Sequence, residues 1–268
     1  MNKDEILKRN NVNVIGTGDQ TLLFAHGFGC DQNMWRLLTP LLSEKFKIVL
    51  FDYVGSGKSD PKAFDTEKYA KLDGYAQDVI EVCEALELRD VTLVGHSVSA
   101  MIGLIASIKA PDLFAKMAMI CPSPCFLNEP PDYFGGFERA DLEELIDLMD
   151  KNYIGWANHL APLVMGTSNA AELIQELSGS FCSTDPYVAK TFAKATFFSD
   201  CRSLLALAKH PTLVFQSSAD ALASVSVGEF VQKAMPQAEL EIIEAEGHCL
   251  HMTHPNQLVP SLNRLMAS

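Results

Sequence analysis

A serine, an aspartate and a histidine, far apart in the chain, each stand where a short apolar run gives out. Ser97 follows "VTLVGH", Asp220 follows "TLVFQSSA" and His248 follows "LEIIEAEG". A serine hydroxyl becomes a nucleophile when an imidazole takes its proton. The imidazole works best when a carboxylate holds its other ring nitrogen. The three residues occur in the chain order Ser, Asp, His, and that order at equivalent strand ends is much less expected by chance than any one of them. The chemistry they point to is acyl transfer: attack on a carbonyl, an acyl-serine, and release by water.

The stretch "GHSVSA" resembles G-x-S-x-G, a turn that pushes a serine outward between a strand and a helix. Such a turn needs small residues two positions before and after the serine. Gly95 satisfies the first requirement, and Ser99, small though larger than glycine, stands at the second. The competing reading of Ser97 is a plain helix N-cap. A tetrahedral intermediate also needs backbone N–H donors. Val98 follows the serine and is one candidate; Phe28, in the glycine-rich "AHGFG", is the other. The bland reading of that segment is an ordinary tight turn. His251 and His254 compete with His248 for the base and make an evenly spaced trio. A metal site would need further ligands from elsewhere, so no metal is expected. His251 and His254 are placed at the start of the last helix, partly solvated. His26 and His96 are read as structural.

Six short apolar runs must position these residues: "QTLLFAHG", "KIVLFD", "VTLVG", "KMAMIC", "TLVFQS" and "LEIIEA". Continuous apolar runs of this length read as strands buried on both faces. Helical patterns lie between them. In "LDGYAQDVIEVCEAL" the apolar positions form one stripe, and "SVSAMIGLIASIKA" is apolar almost all round. The alternation predicts an α/β fold with a mostly parallel sheet and helices on both faces. From about Leu127 to Asp200 no buried strand is legible, only amphipathic helical stretches. An all-helical block between two strands of one sheet suggests a cap over the edge where such sheets bind ligands. The chain is read as one domain, 1–268, with the cap at about 126–199.

Composition narrows the classes. The 268 residues are 48% hydrophobic, enough for a packed core, and the formal net charge of −13 disfavours a nucleic-acid partner or an anionic membrane surface. No apolar run approaches the ~20 residues of a membrane span. "MNKDEILKRN" lacks a signal-peptide core, so a cytoplasmic location is expected. The seven cysteines form no C-x-x-C pair and are read as reduced thiols, with Cys249 nearest the chemistry. "DYVGSGKSD" ends like a phosphate-binding loop, but Asp52 stands where that loop needs glycine. No dinucleotide fingerprint appears, and no cofactor is expected.

Taken together, "HGFG", "DYVGSGKSD", "LDGYAQDV", "GHSVSA", "PSPCFLN", "YFGGFE", "NYIGWA", "FCSTDP", "FFSD" and "EGHCLHM" resemble the RsbQ-like α/β-hydrolases. That group includes the bacterial stress-signalling regulator RsbQ and the plant karrikin and strigolactone receptors. The likeness runs from about Leu7 to the last helix. It implies a Ser97–Asp220–His248 triad under a V-shaped lid of four helices. It also implies a closed apolar pocket lined by Phe28, Phe126, Phe134, Trp156, Phe197 and Phe198. Such a protein is a serine hydrolase of a small apolar ester or lactone. The alternative is a ligand-binding signalling protein whose partner is a phosphatase controlling a stress sigma factor. Ser99 in the motif resembles the plant receptors more than RsbQ.

Overall fold

The six apolar runs form six parallel strands in the computed structural model, which describes residues 2–268. In chain order the first elements are α1 (Lys3–Arg9), β1 (Asn13–Ile15), β2 (Thr21–Ala25), β3 (Lys47–Leu50), α2 (Thr66–Tyr69) and α3 (Leu72–Ala85). Then come β4 (Val91–His96), α4 (Val98–Lys109), β5 (Phe114–Ile120), β6 (Asn128–Glu129) and β7 (Tyr133–Phe134). Four helices follow: α5 (Arg139–Lys151), α6 (Tyr153–Met165), α7 (Ala171–Ser183) and α8 (Pro186–Phe197). The chain ends with β8 (Thr212–Ala219), α9 (Val225–Ala234), β9 (Ala238–Glu246), α10 (Leu250–Thr253) and α11 (Pro255–Ala267).

The main sheet runs β1-β3-β2-β4-β5-β8-β9, with β1 alone antiparallel. Side chains alternate across a strand, so one run serves two cores. Leu22 and Phe24 face a core that includes α11 and most of the cap; Leu23 and Ala25 face the core covered by α3 and α4. This is why the inner strands read as unbroken apolar runs; β9, expected to be buried on both faces, is instead an edge strand that buries only Ile243 and Ala245. In α3 the stripe Leu72, Tyr75, Ala76, Val79, Val82 and Cys83 is buried.

Three elements escape the sequence pattern. β1 is an edge strand with all its residues exposed, so no apolar alternation marks it. β6 and β7 make a hairpin inside the stretch read as wholly helical, and each is only two residues long. The run "DLEELIDLMDKNYIGWANHLAPLVMG" is broken at Asn152, where φ is −158°. The Asn152 side chain accepts the Gly155 N–H and starts α6, so one amphipathic stretch becomes two helices. In the cap, α5 packs on α6 and α8, and α6 packs on α7. Among the described residues no helix is long and apolar enough to cross a membrane.

Candidate active site

Ser97 sits between the last residue of β4 and the first of α4, with φ 56° and ψ −123°. A left-handed φ at a residue with a Cβ is disfavoured by roughly 1–3 kcal/mol and persists only where its surroundings hold it. Here its N–H donates to Ile120 on the neighbouring strand at 2.9 Å. The Ser97 side chain makes no capping bond, which removes the N-cap reading. A Cβ on Gly95 would lie 2.5 Å from the Ser99 carbonyl oxygen, so only glycine lets strand and helix pass. Ser99 is fully buried and donates to the His26 carbonyl. Its own proton is thereby used, and the Tyr53 hydroxyl, 2.9 Å away, donates to it in turn.

Asp220 follows β8 with its side chain buried. Oδ1 accepts the Leu222 N–H at 2.8 Å and the Ala223 N–H at 3.2 Å. Oδ2 lies 2.7 Å from His248 Nδ1. A carboxylate oxygen accepts, so Nδ1 carries the proton, and in the neutral imidazole Nε2 keeps its lone pair. His248 Nε2 has no hydrogen-bond partner among the described residues. Gly247, at φ +97°, turns the chain into this position against α6; a Cβ there would fall 2.0 Å from the Met165 carbonyl oxygen. His248 is then clamped through its own backbone. Its N–H donates to Val164 of the cap at 2.7 Å, and its carbonyl accepts His96 Nε2 at 3.0 Å.

The "HGFG" segment follows β2 and runs beside the elbow. Gly29, at φ +69°, has no room for a Cβ, because the Phe181 ring would be 2.3 Å away. Its carbonyl accepts the Ser180 hydroxyl at 2.8 Å, so α7 fixes the loop from above. Phe28 packs edge-on against Trp156, Phe192 and Phe197, with centroids 5.6–6.0 Å away. Val98 is the first residue of α4, where a backbone N–H has no partner within the helix.

Ser97 and His248 line one cavity, together with Phe28, Phe126 and Phe197. Its other walls are Leu160 and Val164 of α6, Leu177 and Phe181 of α7, Thr196 of α8, and Leu222. The first four recur at helical spacing on the cap, a signal sequence periodicity could have supplied. Three residues named from the resemblance lie elsewhere. Phe134 is 58% exposed on β7, because the hairpin turns it to solvent. Trp156 is buried one layer behind the cavity, stacked on Tyr153 at 5.2 Å and beside Phe181 at 5.3 Å. Phe198 follows α8 and turns to the Arg139 guanidinium, 5.6 Å from its ring.

His251 is not solvated. It is fully buried, 4.5 Å from Trp35 and 4.4 Å from His96 between ring centroids. Burial, and then the neighbouring His248, push its pKa down to about 3, so it is neutral. Burial also lowers the pKa of His26 and His96. His254 is half-buried at the start of α11. The three spaced histidines do not converge. Among the described residues, the one grouping with metal-ligand spacing is Cys121, Asp220 and His248, whose ligand atoms lie within 4.8 Å of one another. Burial, and then the Asp220 charge, raise the Cys121 pKa well above its ordinary value and keep it a thiol. Cys30 joins Cys249 in the cavity wall, and Cys182 is the exposed cysteine. Asp52 accepts the N–H groups of Gln32 and Lys58 at 2.9 Å, so the apparent phosphate loop is folded around a carboxylate.

The profile of the α/β hydrolase fold matches residues 20–255. The chain belongs to the α/β-hydrolase family. Within it, this hydrolase falls with the group of RsbQ and the plant receptors. It is 41% identical to the karrikin insensitive 2 receptor CA of Petunia hybrida, over 95% of this chain and 94% of that one. It is 38% identical to strigolactone esterase D14 of Arabidopsis thaliana, over 99% of each chain. The solved structure of a hydrolase from Oleispira antarctica superposes with a TM-score of 0.98 at 58% identity. It covers 100% of this hydrolase and 98% of that chain.

Proposed function

We propose that the protein hydrolyses a small, largely apolar ester or lactone through Ser97, His248 and Asp220. The observation that carries this reading is the 2.7 Å bond from His248 Nδ1 to Asp220. It leaves Nε2 as a base in the cavity that also holds the strained Ser97. The Ser97 hydroxyl attacks the carbonyl carbon while His248 Nε2 takes its proton, and Asp220 stabilises the imidazolium. The N–H groups of Val98 and Phe28 receive the oxyanion. His248 returns the proton to the leaving oxygen, then takes one from water to release the acyl group. Phe28, Phe126, Phe181 and Phe197 favour an apolar acyl or lactone body. A relative named strigolactone esterase supports the same bond type. A fluorophosphonate should add one mass increment to the wild type and none to Ser97→Ala. Turnover of 4-nitrophenyl acetate by Ser97→Ala at the wild-type rate sinks the proposal.

A second reading, a ligand-gated signalling protein, is favoured by the largely apolar cavity and by relatives named receptors. The bond from the His248 N–H to the cap carbonyl of Val164 ties the triad loop to the cap and would couple a ligand on Ser97 to it. The resemblance to RsbQ suggests a phosphatase as partner. Affinity capture with wild type and Ser97→Ala, each with and without a candidate lactone, tests it. Retention of no partner in any arm counts against it.

A further inference from the structure

Apart from Ser97, one hydroxyl-bearing residue lines the cavity among the described residues: Thr196, near the end of α8. The residue is 2% exposed, and its Oγ1 has no hydrogen-bond partner among the described residues. A threonine in a helix ordinarily hides its hydroxyl by bonding the carbonyl one turn back. Thr191 on the same helix does so, donating to Tyr187 at 3.0 Å. Thr196 does not close the same bond to Phe192. A buried hydroxyl left unpaired is costly, and valine would fill the same volume without that cost.

Of the other polar groups of the wall, Ser97 and His248 Nε2 belong to the proposed triad. His96 Nε2 is bonded to the His248 carbonyl, and its Nδ1 faces Gly27, where an added Cβ would lie 2.5 Å away. Burial raises the Cys30 and Cys249 pKa values, so both remain thiols, which are weak donors. Ser97 and His248 belong to the sheet side, whereas Thr196 belongs to the cap.

We infer that Thr196 is a specificity residue, whose hydroxyl donates to a second oxygen of the molecule held in the cavity. The ligand class is then an apolar ester or lactone with a ketone, ether or further carbonyl oxygen besides the one attacked. This rests on the hydrolytic reading for its kinetic test, and not for its binding test. A site with one placed donor in an apolar wall discriminates against analogues that lack the acceptor, because the donor is then left buried and unpaired.

The experiment compares 4-nitrophenyl hexanoate with its 3-, 4- and 5-oxo derivatives. For each, the ratio of kcat/KM, oxo to plain, is measured in wild type, Thr196→Val and Thr196→Ser. Differences in intrinsic reactivity cancel between variants. At the oxo position that meets Thr196, the ratio falls about fivefold in Thr196→Val, the loss of one neutral hydrogen bond, and returns in Thr196→Ser. Ratios within twofold of wild type at all three positions overturn the inference. If wild type is no faster than Ser97→Ala on any ester, the hydrolytic reading fails. The inference is then decided by the binding of the same esters to Ser97→Ala. A dissociation constant weakened about fivefold by adding Thr196→Val supports it, and an unchanged constant overturns it.

Discussion

The Ser99 hydroxyl donates to the main-chain carbonyl of His26, so the helix behind the elbow is tied to the loop that carries Phe28. The glycine absent from the motif is thus replaced by a cross-link between the two segments that must meet at a tetrahedral intermediate. Tyr53 completes it from a third segment.

Ser99→Ala removes the acceptor of the Tyr53 hydroxyl and the donor to His26, all fully buried. We expect a loss of about 1–3 kcal/mol of stability. Calorimetry should show Tm falling by about 2–4 °C for each kcal/mol. Ser99→Gly, although it completes the motif, loses the same bonds and should be no more stable than wild type. A rise in Tm in Ser99→Gly contradicts this account.

Asp220→Asn replaces the group that accepts His248 Nδ1–H and stabilises the imidazolium. On the proposed mechanism kcat falls by about 10³–10⁴, as expected where the orienting carboxylate is lost. KM for 4-nitrophenyl acetate changes little, because the cavity wall is untouched. A drop of less than tenfold would move the orienting role to another residue.

His251 makes the protein acid-sensitive. Its pKa is about 3 when folded and ordinary, near 6.5, when unfolded, so the unfolded chain binds the extra proton between those values. Stability from this residue is fully present above about pH 6.5. It is lost as pH falls toward 3, by up to about 1.4 kcal/mol per pH unit. Denaturant titrations at pH 7.5 and 5.5 should show a smaller difference for His251→Phe than for wild type. His26 and His96, also lowered by burial, keep part of the dependence. An unchanged difference in His251→Phe rules out this assignment.

Thiol labelling should separate one cysteine from six. Cys182 is exposed and the other six are buried. Burial pushes Cys83 and Cys201 up to about 12, which leaves almost no thiolate at neutral pH. Iodoacetamide should add one group to the native protein, at Cys182, and seven after denaturation, matching the seven cysteines of the sequence. Fast labelling at Cys249 or Cys30 would mean that the cavity opens to solvent.

The inner strands were legible because they are buried on both faces and must be apolar, as Leu22 to Ala25 show, whereas β9, at the sheet edge, buries only Ile243 and Ala245. β1 was not legible, because its exposed residues carry no pattern. The resemblance alone places Phe134 and Phe198 in the pocket, and matching motifs do not say which side of a hairpin or which end of a helix faces inward.

By itself the sequence determined the alternation of strands and helices, the break into a helical block, and three chemically matched residues at strand ends. These are local properties: period, turn residues and chain order. Only the tertiary structure decided the rest. It set Ser97 at a left-handed φ with no capping bond, and it buried His251 against Trp35. It brought Asp220 to 2.7 Å from His248 and left the Thr196 hydroxyl unpaired in the cavity wall. Each depends on segments distant in the chain, and a one-dimensional pattern carries no distances between them.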